Sequence, residues 1–321
     1  MTEPLRAVVI GTGHLGAFHA EKYASTPGVR LSAVYDLDTS RARKVAEDCG
    51  CAVAQSLEEA LGAADIASVA VPTANHHAVA MAVLGAGVHL LIEKPLATCA
   101  REGEEICAAA EKAQRLVQVG HLERFNPAFK DLRNLLGHPR FIECHRLSPF
   151  AGRGGDTDVV FDVMIHDLDL IAFLVGRPLV GVEAVGVPVL SDYADIANAR
   201  LRFEGGCIAN VTASRVSLKR ERRMRIFQED AYVAVDFDAR SVRVLRRKDG
   251  DRAFDPASPM ESISIEDRTF ERADPLRDEI EAFVAAAAGK RDVAVSGREA
   301  VAALAIADRV RAAIDDEARR T

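Results

Sequence analysis

The chain of 321 residues contains no tryptophan, and aromatic residues make up only 5% of it. Surfaces that stack the bases of single-stranded nucleic acid depend on aromatic rings, so their scarcity argues against that function. A basic excess is missing as well, because 41 Lys and Arg residues face 48 Asp and Glu residues, for a net charge of −7. Dedicated nucleic-acid-binding proteins carry the opposite balance. We therefore expect no nucleic acid among the partners.

Long apolar runs are also absent from the sequence. No run reaches the roughly 18–20 residues that a membrane-spanning helix needs, and the first residues lack the basic and apolar regions of a signal peptide. Six cysteines are present, and their spacing indicates neither a zinc site nor a disulfide framework. These absences favour a cytoplasmic protein with reduced thiols and no membrane partner.

Two patterns of secondary structure divide the chain near residue 120. Before that point, short β-branched runs alternate with alanine-rich helical segments, which is typical of a parallel sheet with helices on both faces. Beyond it, apolar and polar residues alternate in many short runs, as in an antiparallel sheet with one open face. The sequence predicts an α/β domain at 1–120 and an α+β domain with an open, mainly antiparallel sheet at 121–321.

A glycine-rich turn follows the first predicted strand. Gly11, Gly13 and Gly16 form a G-x-G-x-x-G pattern. The first glycine allows the tight turn, the second lets the backbone approach a pyrophosphate, and the third permits close packing of helix on strand. The helix predicted over 13–25, which includes His14 and Leu15, then offers free N–H groups to the phosphates. The pattern predicts a dinucleotide-binding Rossmann domain.

Asp36 stands at the end of the second predicted strand. An acidic side chain there accepts hydrogen bonds from the ribose hydroxyls of NAD and repels the 2′-phosphate of NADP. Arg41 and Arg43 lie close behind it and are able to pair with such a phosphate, which keeps NADP open as an alternative. We predict that NAD is the cofactor.

Two further segments follow strands predicted at 66–71 and 88–92. Glu93-Lys94-Pro95 comes after the later strand, at the carboxyl edge where open α/β sheets bind ligands. Val71-Pro72-Thr73, with His76 four residues after the proline, comes at the end of the earlier one. Together with the glycine motif, these segments resemble the family of glucose–fructose oxidoreductase and inositol dehydrogenase (Gfo/Idh/MocA), and the likeness extends over the whole chain.

The resemblance implies hydride transfer between nicotinamide and a hydroxyl-bearing carbon of a sugar or polyol. It makes Lys94 a catalytic residue that also contacts cofactor and substrate, because an ammonium stabilises an alkoxide and relays a proton. It also implies that the peptide bond before Pro95 is often cis. Its remaining cofactor contacts are Pro72, Thr73, His76 and Glu93. In the alternative, Lys94 is a surface lysine before a turn.

The second predicted catalytic element is a helix over 162–175. Asp162, His166 and Asp169 are spaced at i, i+4 and i+7, so they share one face. The element resembles the family's Asp-x-x-x-His, which implies that His166 is the general base and that Asp162 binds substrate and pairs with the protonated ring. Asp169 is expected to be structural. Alternatives are a helix capped by Asp162 and a metal site that includes His166 and Asp169; we predict no metal.

The substrate prediction depends on residues 120–127, Gly-His-Leu-Glu-Arg-Phe-Asn-Pro. Together with His166-Asp167-Leu168-Asp169, this string resembles the nucleotide-sugar branch of the family, whose members oxidise the 3-hydroxyl of UDP-N-acetylglucosamine or its uronic acid. Arginine suits the diphosphate of such a substrate. The predicted substrate contacts are Lys94, Arg124, Phe125, Asn126, Arg153, Asp162 and His166. The alternatives are a dehydrogenase of a free sugar or polyol such as inositol and a non-catalytic dinucleotide sensor.

The densest basic run covers residues 219–225. Charges of this kind blunt the edge or open face of an antiparallel sheet, which is where we expect the run to lie. The resemblance implies that the second domain binds substrate and that its open sheet joins subunits into a homodimer or homotetramer.

Overall fold

The computed structural model describes residues 3–62, 64–150, 158–248 and 262–319. The chain forms two compact units, one made of Met1–Phe125 with Asp274–Ala305 and the other of Asn126–Ala273 with Ile306–Thr321. Across the described ranges, no helix combines the length and the apolar character needed to cross a membrane.

The first unit contains a six-stranded parallel sheet with the order β3-β2-β1-β4-β5-β6. Its strands are β1 (Leu5–Ile10), β2 (Val29–Tyr35), β3 (Ala52–Val53), β4 (Ile66–Val69), β5 (His89–Glu93) and β6 (Val117–Gly120). The helices between them are α1 (His14–Ser25), α2 (Thr39–Cys49), α3 (Leu57–Leu61), α4 (His76–Gly85) and α5 (Ala100–Ala113). The strand order reverses between β1 and β4, and ligands bind at the carboxyl ends of strands at such a point. The predicted Rossmann fold is confirmed.

The helix α8 (Pro275–Ala287) also belongs to the first unit. Its Ile280 and Phe283 are fully buried in the same apolar cluster as Val9 and Ile66 of the sheet. The sequence boundary at residue 120 assigned this segment to the second domain. The structure differs because the apolar face of α8 completes the core of the first unit, a long-range contact that no local pattern reveals.

The second unit contains an eight-stranded sheet with the order β14-β13-β12-β11-β7-β10-β9-β8. Its strands are β7 (Phe141–Leu147), β8 (Leu179–Val187), β9 (Ile196–Phe203), β10 (Ile208–Ser214), β11 (Glu221–Phe227), β12 (Ala231–Asp236), β13 (Ser241–Arg247) and β14 (Ile263–Thr269). Only β7 and β10 pair in parallel among these neighbours. The expected open, mainly antiparallel sheet is confirmed.

Three helical segments accompany this sheet: α6 (Pro127–Leu135), a π-helical turn over Val160–Met164 that leads into α7 (Ile165–Val175), and the end of α9 (Gly297–Ala318). The sequence analysis did not predict α6 or β14. The start of α6 carries ordinary signals, since Asn126 accepts from the Ala128 N–H and Pro127 occupies the first turn.

The basic run lies on the open face of the sheet, on β11. This strand is interior, with β7 and β12 as its neighbours, so the run is not at an edge. Arg223 pairs with Asp236 at 2.9 Å, and Arg225 pairs with Glu143. Carboxylates on adjacent strands thus offset the positive charge. Assembly through this face stays a prediction.

Candidate active site

The turn after β1 leaves an open space at the start of α1. Gly11 has a φ of +87°, and a Cβ on Gly16 would lie only 1.8 Å from the carbonyl oxygen of Gly11. A Cβ on Gly13 would meet nothing within 4 Å, and no side chain of the described residues caps the helix at this position. The first N–H groups of α1 therefore suit a diphosphate. The arrangement fits a dinucleotide.

The first turn of α1 presents His14 and Leu15 to the outside. The opposite face of the helix is buried and carries Gly16, His19, Ala20 and Tyr23. His19 and Tyr23 bring polar atoms into that face, and the sequence analysis missed them. The sequence did contain a signal for them: His19 and Tyr23 follow Gly16 by three and seven residues, and residues at that spacing lie on the same face of a helix.

Asp36, just beyond β2, is held by the glycine-rich turn. Its Oδ2 accepts from the Thr12 N–H at 2.6 Å and hydroxyl at 2.9 Å, and its Oδ1 accepts from the Asp38 N–H at 2.8 Å and from Arg41 at 3.1 Å. Burial raises the pKa of this carboxyl, but the hydrogen bonds and the Arg41 charge outweigh burial and hold it below its ordinary value. The ionised form of Asp36 is therefore favoured, at the strand end where Rossmann domains bind the ribose hydroxyls of NAD.

Replacing Asp36 with Ser should lower the ratio of the NADP dissociation constant to the NAD dissociation constant by about tenfold or more. The reason is that contact between the carboxylate and the 2′-phosphate, which have the same charge, costs several kcal/mol. Calorimetric titration with both cofactors measures this ratio. Asp48→Ser, at an exposed position near the end of α2, is the matched control. Equal affinity of the unmodified protein for both cofactors would contradict the assignment.

Lys94 directly follows β5, at the same carboxyl edge of the sheet as the glycine-rich turn. Its side chain is half-buried, whereas Glu93 and Pro95 on either side are buried. The Lys94–Pro95 peptide bond is cis, as the resemblance implies. The segment therefore places an ammonium group at the edge where a Rossmann sheet binds its ligands.

His76 connects the two loops that follow β4 and β5. Its ring is 1% exposed, with Nδ1 2.8 Å from the carbonyl oxygen of Pro95 and Nε2 2.9 Å from that of Val71. Carbonyl oxygens only accept, so a neutral imidazole donates to one of them at a time. Burial lowers the pKa of His76, which favours this neutral form. Pro72 and Thr73, next to Val71, are at least partly exposed; direct contact of His76 with the cofactor stays a prediction.

In the second unit, Asp162 lies in the π-helical turn, and His166 lies at the start of α7. Both are half-buried. The Val160 N–H donates to Asp158 Oδ1 at 2.7 Å, so Asp158 and not Asp162 stabilises the first turn. This answers the alternative in which Asp162 is a cap. The π-helical turn that contains Asp162 is a feature common at functional sites.

The helix α7 is fixed to β7 by a buried ion pair. Arg146 donates to both carboxylate oxygens of Asp167, at 2.8 and 3.1 Å, and the two side chains are 4% and 3% exposed. The pair holds the helix that carries His166 against the strand that carries Arg146. Asp169 is 1% exposed. No group of three His, Cys, Asp or Glu residues in the described part of the chain is arranged to hold a metal ion.

Replacing Asp167 with Asn should lower the free energy of unfolding by about 3–5 kcal/mol, because it leaves the buried guanidinium of Arg146 without its counter-charge. Urea denaturation followed by circular dichroism measures the change. Asp192→Asn, at an exposed position, should change it by less than about 0.5 kcal/mol. If the two variants lowered the free energy of unfolding by similar amounts, the ion pair would contribute little to stability.

Arg124 and Phe125 have structural contacts in the first unit. The Arg124 guanidinium lies 3.3 Å from Glu299, and its side chain is only 6% exposed. Phe125 is buried in a cluster with Ala282 and Val295. A diphosphate contact by Arg124 stays a prediction, and the ion pair argues against it.

Asn126 begins α6 and also holds the second unit together. Its Oδ1 accepts from the Ala128 N–H at 3.1 Å, and its Nδ2 donates to the carbonyl of Phe237 at 3.2 Å. These contacts explain its burial without a substrate. Arg153, the other predicted diphosphate contact, lies outside the described residues.

Comparison with known proteins identifies the family. The model for an oxidoreductase family with an NAD-binding Rossmann fold (GFO_IDH_MocA) matches residues 5–121, and the GFO/IDH/MocA C-terminal domain matches residues 133–234. UDP-N-acetylglucosamine 3-dehydrogenase of Acidithiobacillus ferrooxidans is 39% identical over 312 residues, which cover 97% of each chain. A solved structure of that enzyme matches with a TM-score of 0.90 at 38% identity, covering 98% of this chain and 99% of that one.

More distant relatives share part of the sequence or the fold alone. Inositol 2-dehydrogenase of Corynebacterium glutamicum is 31% identical over 194 residues, which cover 57% of this chain and 58% of that protein. Levoglucosan dehydrogenase in complex with NADH has the same fold, with a TM-score of 0.87 at 17% identity and 98% of each chain covered. The chain therefore belongs to the Gfo/Idh/MocA oxidoreductase family, and its cofactor is NAD.

Proposed function

We propose that the protein oxidises the 3-hydroxyl of UDP-N-acetylglucosamine, or of its uronic acid, to the 3-keto sugar. The extent of the two likenesses supports this choice. The likeness to UDP-N-acetylglucosamine 3-dehydrogenase covers 97% of the chain, whereas the likeness to inositol 2-dehydrogenase covers 57%. Substrate specificity depends on both domains in the proposal, so the full-length likeness carries more weight.

NAD, when bound, supplies the acceptor for a hydride. The chain's own part in the cofactor site is to offer the uncapped start of α1 to the diphosphate and Asp36 to the ribose hydroxyls. Lys94 stabilises the negative charge that develops on the reacting oxygen. His166 accepts the proton of the hydroxyl, and Asp162 stabilises the imidazolium that results and hydrogen-bonds to the sugar.

UDP alone should bind to the protein. A site for a nucleotide sugar must supply hydrogen-bond donors to the diphosphate, and UDP carries the same diphosphate. Calorimetry should detect this binding, and higher salt should weaken it because charge attraction contributes to it. UDP should also compete with the nucleotide sugar. A dehydrogenase of free polyols has no reason to bind UDP.

A variant tests the predicted arginine. Arg153→Ala should raise KM for the nucleotide sugar more than it lowers kcat, which is the signature of lost uniform binding. Arg177→Ala, at an exposed position after α7, is the matched control. If UDP fails to bind at millimolar concentration while inositol is oxidised, the polyol dehydrogenase becomes the better interpretation.

A further inference from the structure

A row of four buried polar side chains lies behind Lys94 in the first unit. The Tyr23 hydroxyl is 2.9 Å from Ser68 Oγ, which is 3.1 Å from His19 Nδ1, and His19 Nε2 is 3.0 Å from Glu93 Oε1. All four residues are 5% exposed or less. The other carboxylate oxygen, Glu93 Oε2, accepts from the backbone N–H of Lys94 at 3.3 Å. The row therefore ends on the backbone of the catalytic lysine.

The hydrogen bonds of this row have a consistent direction. With a neutral imidazole, Tyr23 donates to Ser68, Ser68 donates to His19 Nδ1, and His19 Nε2 donates to Glu93. Glu93 is the terminal acceptor and uses both of its oxygens. Burial raises the pKa of Glu93, but the hydrogen bond from His19 and the charge of Lys94 outweigh burial and keep it below its ordinary value. An ionised carboxylate accepts stronger hydrogen bonds than a neutral carboxyl group does.

Glu279, on α8, is close enough to Glu93 to respond to its charge. The side chain is fully buried, and neither carboxyl oxygen has a hydrogen-bond partner among the described residues. Burial, together with the charge of Glu93, raises the pKa of Glu279 well above its ordinary value. The neutral form of Glu279 is therefore favoured. Glu93 is then the ionised carboxylate of this pair, and it accepts the hydrogen bond from the backbone N–H of Lys94.

The backbone on the other side of Lys94 is held independently, because His76 Nδ1 lies 2.8 Å from the carbonyl oxygen of Pro95. We propose that His19 is a positioning residue for the oxidation: by holding Glu93, it fixes the backbone from which the Lys94 ammonium reaches the reacting hydroxyl. The inference rests on the proposed function. Precision at this position matters, because a displacement of about 1 Å in a catalytic group can cost on the order of 100-fold in rate.

Three substitutions at one position separate positioning from packing. His19→Phe removes both hydrogen bonds and keeps a ring of similar size. His19→Gln keeps a donor near the position of Nε2, toward Glu93, whereas His19→Asn keeps polarity near Nδ1, toward Ser68. His138→Phe, at an exposed position before β7, is the matched control.

His19→Phe should lower kcat by about 10–100-fold while the KM values for NAD and sugar change by less than about threefold. His19→Gln should restore most of the lost turnover, and His19→Asn should not. The Gln and Asn variants decide the matter if the Phe variant does not fold. Unchanged kcat in the folded Phe or Asn variant, or equal losses in Gln and Asn, would overturn the inference.

A second measurement needs no substrate. Amide hydrogen exchange of the NAD-bound enzyme, measured by mass spectrometry on the peptide that contains the Lys94 N–H, should be faster in His19→Phe and His19→Asn than in His19→Gln or the control. If the unmodified protein oxidises no nucleotide sugar, the proposed function fails and the exchange result alone decides. Exchange that is the same in all variants would overturn the role of His19, and the expected pattern would support it.

Discussion

Replacing Lys94 with Met should lower kcat by about 10²–10⁴-fold, the range for losing an acid–base or electrostatic group at the reacting atom. Methionine keeps a similar length and removes the charge, so the loss reports the ammonium and not the volume. NAD affinity should change little, because the proposed contacts with the diphosphate and ribose come from the start of α1 and from Asp36. Stopped-flow or steady-state formation of reduced cofactor measures kcat, and calorimetry measures NAD binding.

Lys112→Met provides the matched control, since Lys112 is exposed near the end of α5. It should leave both quantities unchanged. Near-normal turnover in Lys94→Met would remove the lysine from the chemistry. A large loss of NAD affinity with unchanged kcat would make it a cofactor-binding residue only.

Replacing His166 with Ala should lower kcat by about 10²–10⁴-fold, because the hydroxyl then lacks its proton acceptor. Added imidazole should restore part of the turnover in a concentration-dependent manner, since the truncated side chain leaves room for it. Asp162→Asn should lower kcat less than His166→Ala, because an amide still hydrogen-bonds the sugar but no longer stabilises the imidazolium.

His138→Ala is the control for His166, because His138 is exposed and lies outside α7 and its π-helical turn. It should have normal turnover and no response to imidazole. If His166→Ala retains near-normal turnover, another group accepts the proton. A loss that imidazole does not restore, with a parallel loss of folded protein, would indicate a structural role.

Local sequence patterns predicted most elements of the first unit, because each buried parallel strand is a continuous apolar run between helical segments. The strand β14 escaped prediction because its residues, Ile-Ser-Ile-Glu-Asp-Arg-Thr, are largely exposed and show no clear alternation. The helix α6 was missed because the residues at its start, Asn126 and Pro127, were interpreted as part of the substrate-binding string at 120–127. The helix predicted at 162–175 is present, but its residue spacing did not predict that its first residues belong to a π-helical turn.

The chemical groups of the candidate site were visible in the sequence, but their supports were not. Gly11, Asp36 and Lys94 follow strands and can be found from local order alone. The partners that hold them are distant in the chain: His19 is 74 residues from Glu93, and Arg146 is 21 residues from Asp167. Contacts of this kind depend on tertiary packing, which is why the sequence predicted a diphosphate contact for Arg124 and gave no sign of its ion pair with Glu299.

In the proposed reaction, a hydride leaves C3 of a UDP-linked N-acetylglucosamine. The most direct measurement offers the enzyme NAD and UDP-N-acetylglucosamine carrying deuterium at C3, and mass spectrometry then locates the label. We expect the deuterium to appear in the reduced cofactor and a 3-keto sugar to accumulate in equal amount. Deuterium that stays on the sugar, while the same enzyme reduces NAD with unlabelled inositol, would rule out this reaction.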